Sequence, residues 1–143
     1  MGKYDALKLD NQLCFPLYAA SREIIKIYHP YLSKLDLTYT QYITMMVLWE
    51  VKKITVKDLG KKLYLDSGTL TPLLKTLEKR GFITRKRSEK DERVLVVEIT
   101  EEGDKFKDQA VNIPAEVGSC VKLSEKDAKD LYRILYGLLD NSL

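Results

Sequence analysis

The 143-residue sequence predicts a mainly α fold with a two-stranded β wing, a winged helix-turn-helix. Three observations carry this. Apolar residues recur at helical spacing over most of the chain. The period changes to that of strands only between Phe82 and Thr100. Two short, capped helices run directly into that stretch. The length fits one compact domain spanning 1–143, with no linker, repeat or low-complexity segment.

Each element has its own signal. The first helix is expected to begin near Asp10 or Asn11, either of which can cap it, with Leu13, Leu17, Ala20, Ile24 and Ile27 on one face. Pro16 falls early, where a lost N–H matters least. His29-Pro30 is expected to end or bend the helix. Thr38 and Gln41 form a capping box that opens a helix through "YITMMVLWEV". Thr55 and Asp58 repeat the device before Leu59 and Leu63. Asp66 or Ser67 caps the next helix, whose apolar stripe is Leu70, Leu73, Leu74 and Leu77, and Gly81 is the natural residue after its end. "FITRKR" and "VLVVEIT" then read as strands joined by the polar "SEKDER". A helix follows from Thr100, and Ser124 with Asp127 caps an amphipathic last helix.

Charge is uneven. The total is +3, yet Lys52 to Arg93 holds 13 Lys/Arg against 6 Asp/Glu, a balance of +7, which leaves −4 for the rest. A basic middle calls for an anionic partner, and double-stranded DNA leads. In a winged helix the second helix of the pair enters the major groove and the wing reaches the adjacent minor groove. That assigns Ser67, Thr69, Thr71, Pro72 and Lys75 to the recognition helix, where hydroxyls at a helix start meet phosphates or base edges. The wing carries Arg85, Lys86, Arg87, Lys90 and Arg93, and Asp91 can fork the Arg93 guanidinium.

Other classes find little material. No apolar run approaches the roughly 18 residues of a membrane span. The start lacks an apolar signal core, and Met-Gly is followed by Ala6 where a myristoylation signal needs Ser or Thr. There is no phosphate loop, HExxH or CxxC, and one histidine, His29, gives little for zinc. The expectation is a cytoplasmic protein without metal or cofactor. Its two cysteines, Cys14 and Cys120, begin as thiols.

Cys14 has two readings. It can be a small apolar filler on a helical face. It can also be a reactive thiol, since the first turn of a helix favours a thiolate.

"LDNQLCF", "LTYTQY", "LYLDSGTLTPLLK", "ITRKRSEKDER" and "ITEEG" resemble the MarR family, and "QLCF" its organic-hydroperoxide-sensing branch. The similarity covers about residues 9–120. The resemblance implies a homodimer on a palindromic operator, with 1–36 and 101–143 as dimerisation helices and 37–100 as the DNA-binding lobe. It implies that organic hydroperoxide oxidises Cys14, that Tyr28 and Tyr39 serve the site, and that Arg93 is the wing arginine. Two-cysteine members form an intersubunit disulfide, and Cys120 stands about where a resolving cysteine belongs; one-cysteine members trap a small thiol instead. Cys14 and Tyr28 are 14 residues apart, roughly 21 Å along one helix, so a contact between them needs two chains. Two rivals stay open: a MarR-type regulator answering a small phenolic ligand, and a thiol peroxidase, for which no arginine or threonine stands beside Cys14.

Overall fold

The structure, a computed structural model, describes residues 2–142, with side chains through Asp140. Two compact units form, one up to Ile113 and one from Pro114 on.

The first unit opens with two single 3-10 turns, Asp5–Leu7 and Leu9–Asn11. Asn11 and Gln12 donate side-chain hydrogen bonds back to the carbonyls of Asp5, Ala6 and Lys8. Asn11, one of the two residues expected to cap the first helix, is thereby occupied, and Asp10, the other, lies inside the second 3-10 turn. Helix α1 therefore starts later, at Cys14, and runs to Ser33 without a side-chain cap. It also continues through His29-Pro30, which sits inside its last turns rather than ending it. Leu37 N–H returns to the Leu32 carbonyl after Asp36 takes a left-handed φ of 52°, and that closes the helix.

Thr38 and Gln41 make both halves of the capping box for α2 (Tyr39–Val51). Lys52, at φ 67°, turns the chain into β1 (Lys53–Thr55). The Thr55 hydroxyl accepts from Asp58 N–H and starts α3 (Val56–Leu63). The Asp66 carboxylate, not Ser67, caps α4 (Ser67–Lys79) through Thr69 N–H at 2.7 Å. Gly81 ends α4 in the left-handed region, and Phe82 N–H reaches back to the Leu77 carbonyl.

Strands β2 (Ile83–Arg87) and β3 (Leu95–Ile99) form the expected antiparallel hairpin. The sheet has a third strand that the hydrophobic pattern did not reveal. β1 pairs with β3, Lys53 opposite Glu98, so the order is β1-β3-β2. Three residues are too few to display a period, and Lys52's turn is what aims them at β3. The core is Met45, Leu48, Leu59, Leu70, Leu74, Leu77, Ile83 and Val97, all essentially solvent-free. Burial of such side chains stabilises by roughly 1.5–3 kcal/mol each. The helix expected from Thr100 is broken into α5 (Glu101–Lys105), α6 (Lys107–Ala110) and α7 (Ile113–Cys120).

The second unit contains the rest of α7 and helix α8 (Glu125–Ser142), with Asp127 N–H on the Ser124 hydroxyl as expected. Along α8, Leu131, Tyr132, Ile134, Tyr136 and Leu138 are exposed. No helix among the described residues is long and apolar enough to cross a membrane.

Candidate DNA interface and thiol site

The recognition-helix candidates Ser67, Thr69, Thr71, Pro72 and Lys75 are all exposed along the first three turns of α4. They are exposed because Leu70, Leu73, Leu74 and Leu77 take the opposite face into the core. The Thr71 hydroxyl donates to the Ser67 carbonyl at 2.8 Å. The Thr69 backbone N–H, then its side chain, hold the Asp66 carboxyl below the ordinary value, so the cap is ionised.

The wing loop is ordered from within. Ser88 N–H donates to the Val94 carbonyl, and Val94 N–H to the Asp91 carbonyl. Asp91 accepts from Arg93 Nε at 3.1 Å and from a terminal guanidinium nitrogen at 3.2 Å. That is the two-pronged pair expected from the sequence, and it also holds the Asp91 carboxyl below its usual value. The Arg93 side chain remains 90% exposed at the tip. Lys86 and Arg87 are exposed as well. Arg85 is placed differently. Its guanidinium turns back onto Glu78 of α4 at 3.0 Å, its backbone N–H takes the other carboxylate oxygen, and only 18% of the side chain is exposed. Arg85 ties the wing to α4 instead of presenting charge outward.

A groove of about 1020 Å³ separates the start of α4 from the wing, lined among others by Lys57, Lys61, Tyr64, Ser67 and Arg93. Sequence reasoning passed over Lys57, Lys61 and Tyr64. Tyr64 is brought to the groove by its left-handed backbone at the end of α3.

Cys14 is the first residue of α1 and is exposed. Around it Leu13, Phe15, Leu17 and Tyr18 are exposed too, so the start of α1 presents apolar surface to solvent. Tyr28 and Tyr39 meet, ring centroids 5.0 Å apart and edge to face. Tyr42 completes the cluster, 5.9 Å from Tyr28 and 6.3 Å from Tyr39. It stands three residues beyond Tyr39, a spacing that puts both on one helical face. Burial, then the neighbouring Tyr28 and Tyr39, push its phenol from 10.0 up to about 12. Because α1 is unbroken from Cys14 to Ser33, this cluster and Cys14 of the same chain stand apart by about the roughly 21 Å of the helix rise. Cys120 is the last residue of α7 and is exposed, its thiol on the Glu116 carbonyl at 3.4 Å.

Beside the cluster is a small cleft of about 200 Å³ lined by Ile25, His29, Leu37 and Tyr39 among others. Drug-sized ligands fill roughly 300–1,000 Å³. No group of three His, Cys, Asp or Glu among the described residues is placed to hold a metal.

Comparison with known proteins bears on the family and the fold. The family model described as transcriptional regulator SarA/Rot matches residues 26–110. The organic hydroperoxide resistance transcriptional regulator of Bacillus subtilis is 53% identical over 139 residues, covering 97% of this chain and 95% of that one. Among solved structures, reduced AbfR bound to DNA aligns with a TM-score of 0.78 at 33% identity, over 99% of this chain and 98% of the other. Disulfide-formed AbfR aligns with a TM-score of 0.66, also at 33% identity, over 96% of each chain. AbfR comes from Staphylococcus epidermidis. These relatives are regulators, not enzymes.

Proposed function

The chain belongs to the MarR-like SarA/Rot family of winged-helix transcriptional regulators, and from that membership we propose that it is a redox-sensing repressor released from DNA when organic hydroperoxide oxidises Cys14. The observation that carries the reading is the exposed thiol at the first residue of an unbroken helix, roughly 21 Å from the tyrosine cluster of its own chain. If Tyr28 and Tyr39 serve that thiol, they come from a second chain. The site is then built across a homodimer whose interface uses the helices of 1–36 and 101–143, consistent with the exposed apolar residues of α1 and α8.

On DNA, each protomer places Ser67, Thr69, Thr71, Pro72 and Lys75 in a major groove of a palindromic operator. Arg93, steadied by Asp91, enters the flanking minor groove, while Lys86 and Arg87 meet phosphate. Arg85 acts through Glu78, fixing the wing relative to α4. The B. subtilis relative's name supports the hydroperoxide signal, and AbfR's DNA-bound reduced form and separate disulfide form support the redox switch.

The chemistry balances in two steps. The Cys14 thiolate attacks the hydroperoxide's outer oxygen, the O–O bond breaks, and the alcohol leaves with a proton; sulfur becomes sulfenic acid. The partner's Cys120 thiol then attacks that sulfur, an S–S bond forms, and water leaves. A disulfide needs Cα atoms within about 7 Å, so helices carrying the two cysteines move together and the DNA lobes change spacing. A dithiol reductant reverses the bond. We place the protein in the cytoplasm, where both thiols begin reduced.

The test is operator binding by fluorescence anisotropy, with and without cumene hydroperoxide. Wild type is released and dithiothreitol restores it; Cys14→Ser stays bound. Release of Cys14→Ser by peroxide overturns the sensing role. Oxidised wild type migrating as a monomer on a non-reducing gel overturns the intersubunit disulfide and leaves a small-thiol adduct as the resolving step. The phenolic-ligand rival predicts release by ligand with both thiols intact.

A further inference from the structure

Arg80 caps the far end of α4, and neither the DNA surface nor the thiol site includes it. Its backbone belongs to that helix, because its N–H still reaches the Thr76 carbonyl at 3.1 Å. Its guanidinium reaches elsewhere. One terminal nitrogen donates to the Leu35 carbonyl at 3.0 Å and the other to the Asp36 carbonyl. Those carbonyls form the corner that closes α1, where Asp36 takes its left-handed φ and Leu37 N–H turns back to Leu32. The same guanidinium lies over the Phe82 ring, 4.7 Å from its centre, at the entry to β2. Phe106, at the join of α5 and α6, stands 5.8 Å from it. One side chain thus touches the end of α1, the entry to the wing and the α5–α6 join, and is rooted in α4.

This contact is stiff. Arg80 is a planar, permanently charged fork, set between two carbonyls and an aromatic face. Hydrogen bonds from a charged donor are stronger than neutral ones. Leu32 and Leu37, which flank the corner, are buried, and so are Phe82 and Phe106, so none of these partners can fray into solvent. The helix that ends at this corner begins at Cys14 and is unbroken, a lever about 30 Å long. The thiol sits at one end of that lever and Arg80 holds the other.

We propose that Arg80 is a positioning residue that couples the two ends of the switch. It makes the end of α4 follow the end of α1, so a displacement of α1 set by the state of Cys14 reaches the recognition helix. The inference rests on the redox reading above. In that reading Arg80 meets neither the thiol nor DNA; it stands about 20 Å along α4 from Ser67. Without the fork, α1 can turn at the Asp36 corner while α4 keeps its place.

The probe is a palindromic duplex that the reduced full-length chain selects from a random-sequence pool. Anisotropy gives its dissociation constant for reduced and for cumene-hydroperoxide-oxidised protein, and the ratio of the two is the coupling. Wild type is expected to show a ratio of about 5 to 150, the usual range of such couplings. Arg80→Met loses the fork, and its ratio should fall below about a third of the wild-type value because oxidised protein stays on DNA. Its reduced affinity should remain close to wild type, and so should the rate of Cys14 sulfenic-acid labelling. Arg80→Lys keeps one donor and should restore part of the ratio. A purely structural Arg80 would shift both affinities together and leave the ratio intact, and that result overturns the proposal. So does a ratio lost through slower labelling of Cys14. If circular dichroism finds Arg80→Met unfolded at the assay temperature, Arg80→Lys decides: a lowered ratio supports the proposal and a wild-type ratio overturns it. Wild type released on oxidation with both variants released equally sinks only this inference. Wild type that binds equally in both states removes the sensing reading with it.

Discussion

Replacing Gly103 by alanine should unfold this protein more easily than any other single-methyl addition. Gly103 lies buried in α5, where a Cβ would fall inside contact distance of the Phe82 carbonyl oxygen, 2.9 Å from its carbon and 3.0 Å from Ile99 Cγ1. The obstacle is backbone and cannot swing away, because the Phe82 carbonyl already accepts Thr100 N–H at 3.0 Å. Gly103 cannot retreat either. Its N–H is held by the Thr100 hydroxyl at 3.0 Å, and its carbonyl takes Trp49 Nε1 at 2.9 Å. Relief needs a separation on the order of 1 Å between α5 and the segment entering β2, which overpacks at about 3 kcal/mol and strains two hydrogen bonds. The melting temperature should fall by roughly 10 °C. Gly68→Ala is the matched control. There the new Cβ meets only the Asp66 carboxylate at 3.4 Å, an ordinary contact on an exposed first turn. It should gain about 0.4–1 kcal/mol from a stiffer unfolded chain. Urea unfolding followed by Trp49, the one tryptophan, measures both. A Gly103→Ala protein within about 1 kcal/mol of wild type would refute the close-approach argument.

The remaining expectations are briefer. Arg93→Gln should leave Asp91 facing phosphate without its partner, weaken operator binding at least severalfold and reduce the salt slope by about 1 per protomer, read by anisotropy over a salt series; an unchanged slope removes Arg93 from the interface. Tyr42, raised from 10.0 to about 12, binds its proton more tightly folded than unfolded. Its contribution is therefore whole below pH 10.0 and disappears as pH climbs toward about 12. A phenolate absorbance titration should show a ring ionising late, toward about 12, and Tyr42→Phe should reduce that late step. Arg80 donates to the carbonyls of Leu35 and Asp36 at the end of α1 and stacks over Phe82 at 4.7 Å. Arg80→Met should cost about 1–3 kcal/mol in urea titrations by orphaning those carbonyls, and Arg80→Lys less, since one donor point survives.

What the sequence disclosed divides by range. Caps are local, and Thr38-Gln41, Thr55 and Thr100 each bond to the residue three positions on. The stripe of Leu70, Leu73, Leu74 and Leu77 fixed which side of α4 faces solvent. Tertiary competition decided the rest. Asn11 had the chemistry of a cap but spent its amide on the Asp5 carbonyl. β1 has three residues and exists through its pairing to β3, a contact more than forty residues away in sequence. Arg85 and Lys86 are neighbours of equal charge in sequence; strand alternation and Glu78 at 3.0 Å send one inward and leave the other out.

The thiol site shows that one local misreading leaves a functional argument standing. Pro30 was expected to end or bend α1, but Tyr28 precedes it, so a break there would still have left Tyr28 on one helical segment with Cys14, roughly 21 Å away. It does not break, because Pro removes a single N–H and the helix closes only three residues later at Ser33. An unbroken α1 keeps Tyr28 beside Tyr39 and Tyr42, and leaves the Cys14 thiol exposed with nothing of that cluster in reach. Two-chain assembly is then the only way to unite thiol and phenols. A pair of single variants tests it: mixing Cys14→Ser chains with Tyr28→Phe chains places one wild-type Cys14 against one wild-type Tyr28 in each heterodimer. If the site is shared, such heterodimers regain peroxide oxidation at one thiol per dimer, counted by sulfenic-acid labelling, at a rate neither homodimer matches. If phenols act only on their own chain's thiol, the mixture gains nothing over its parents.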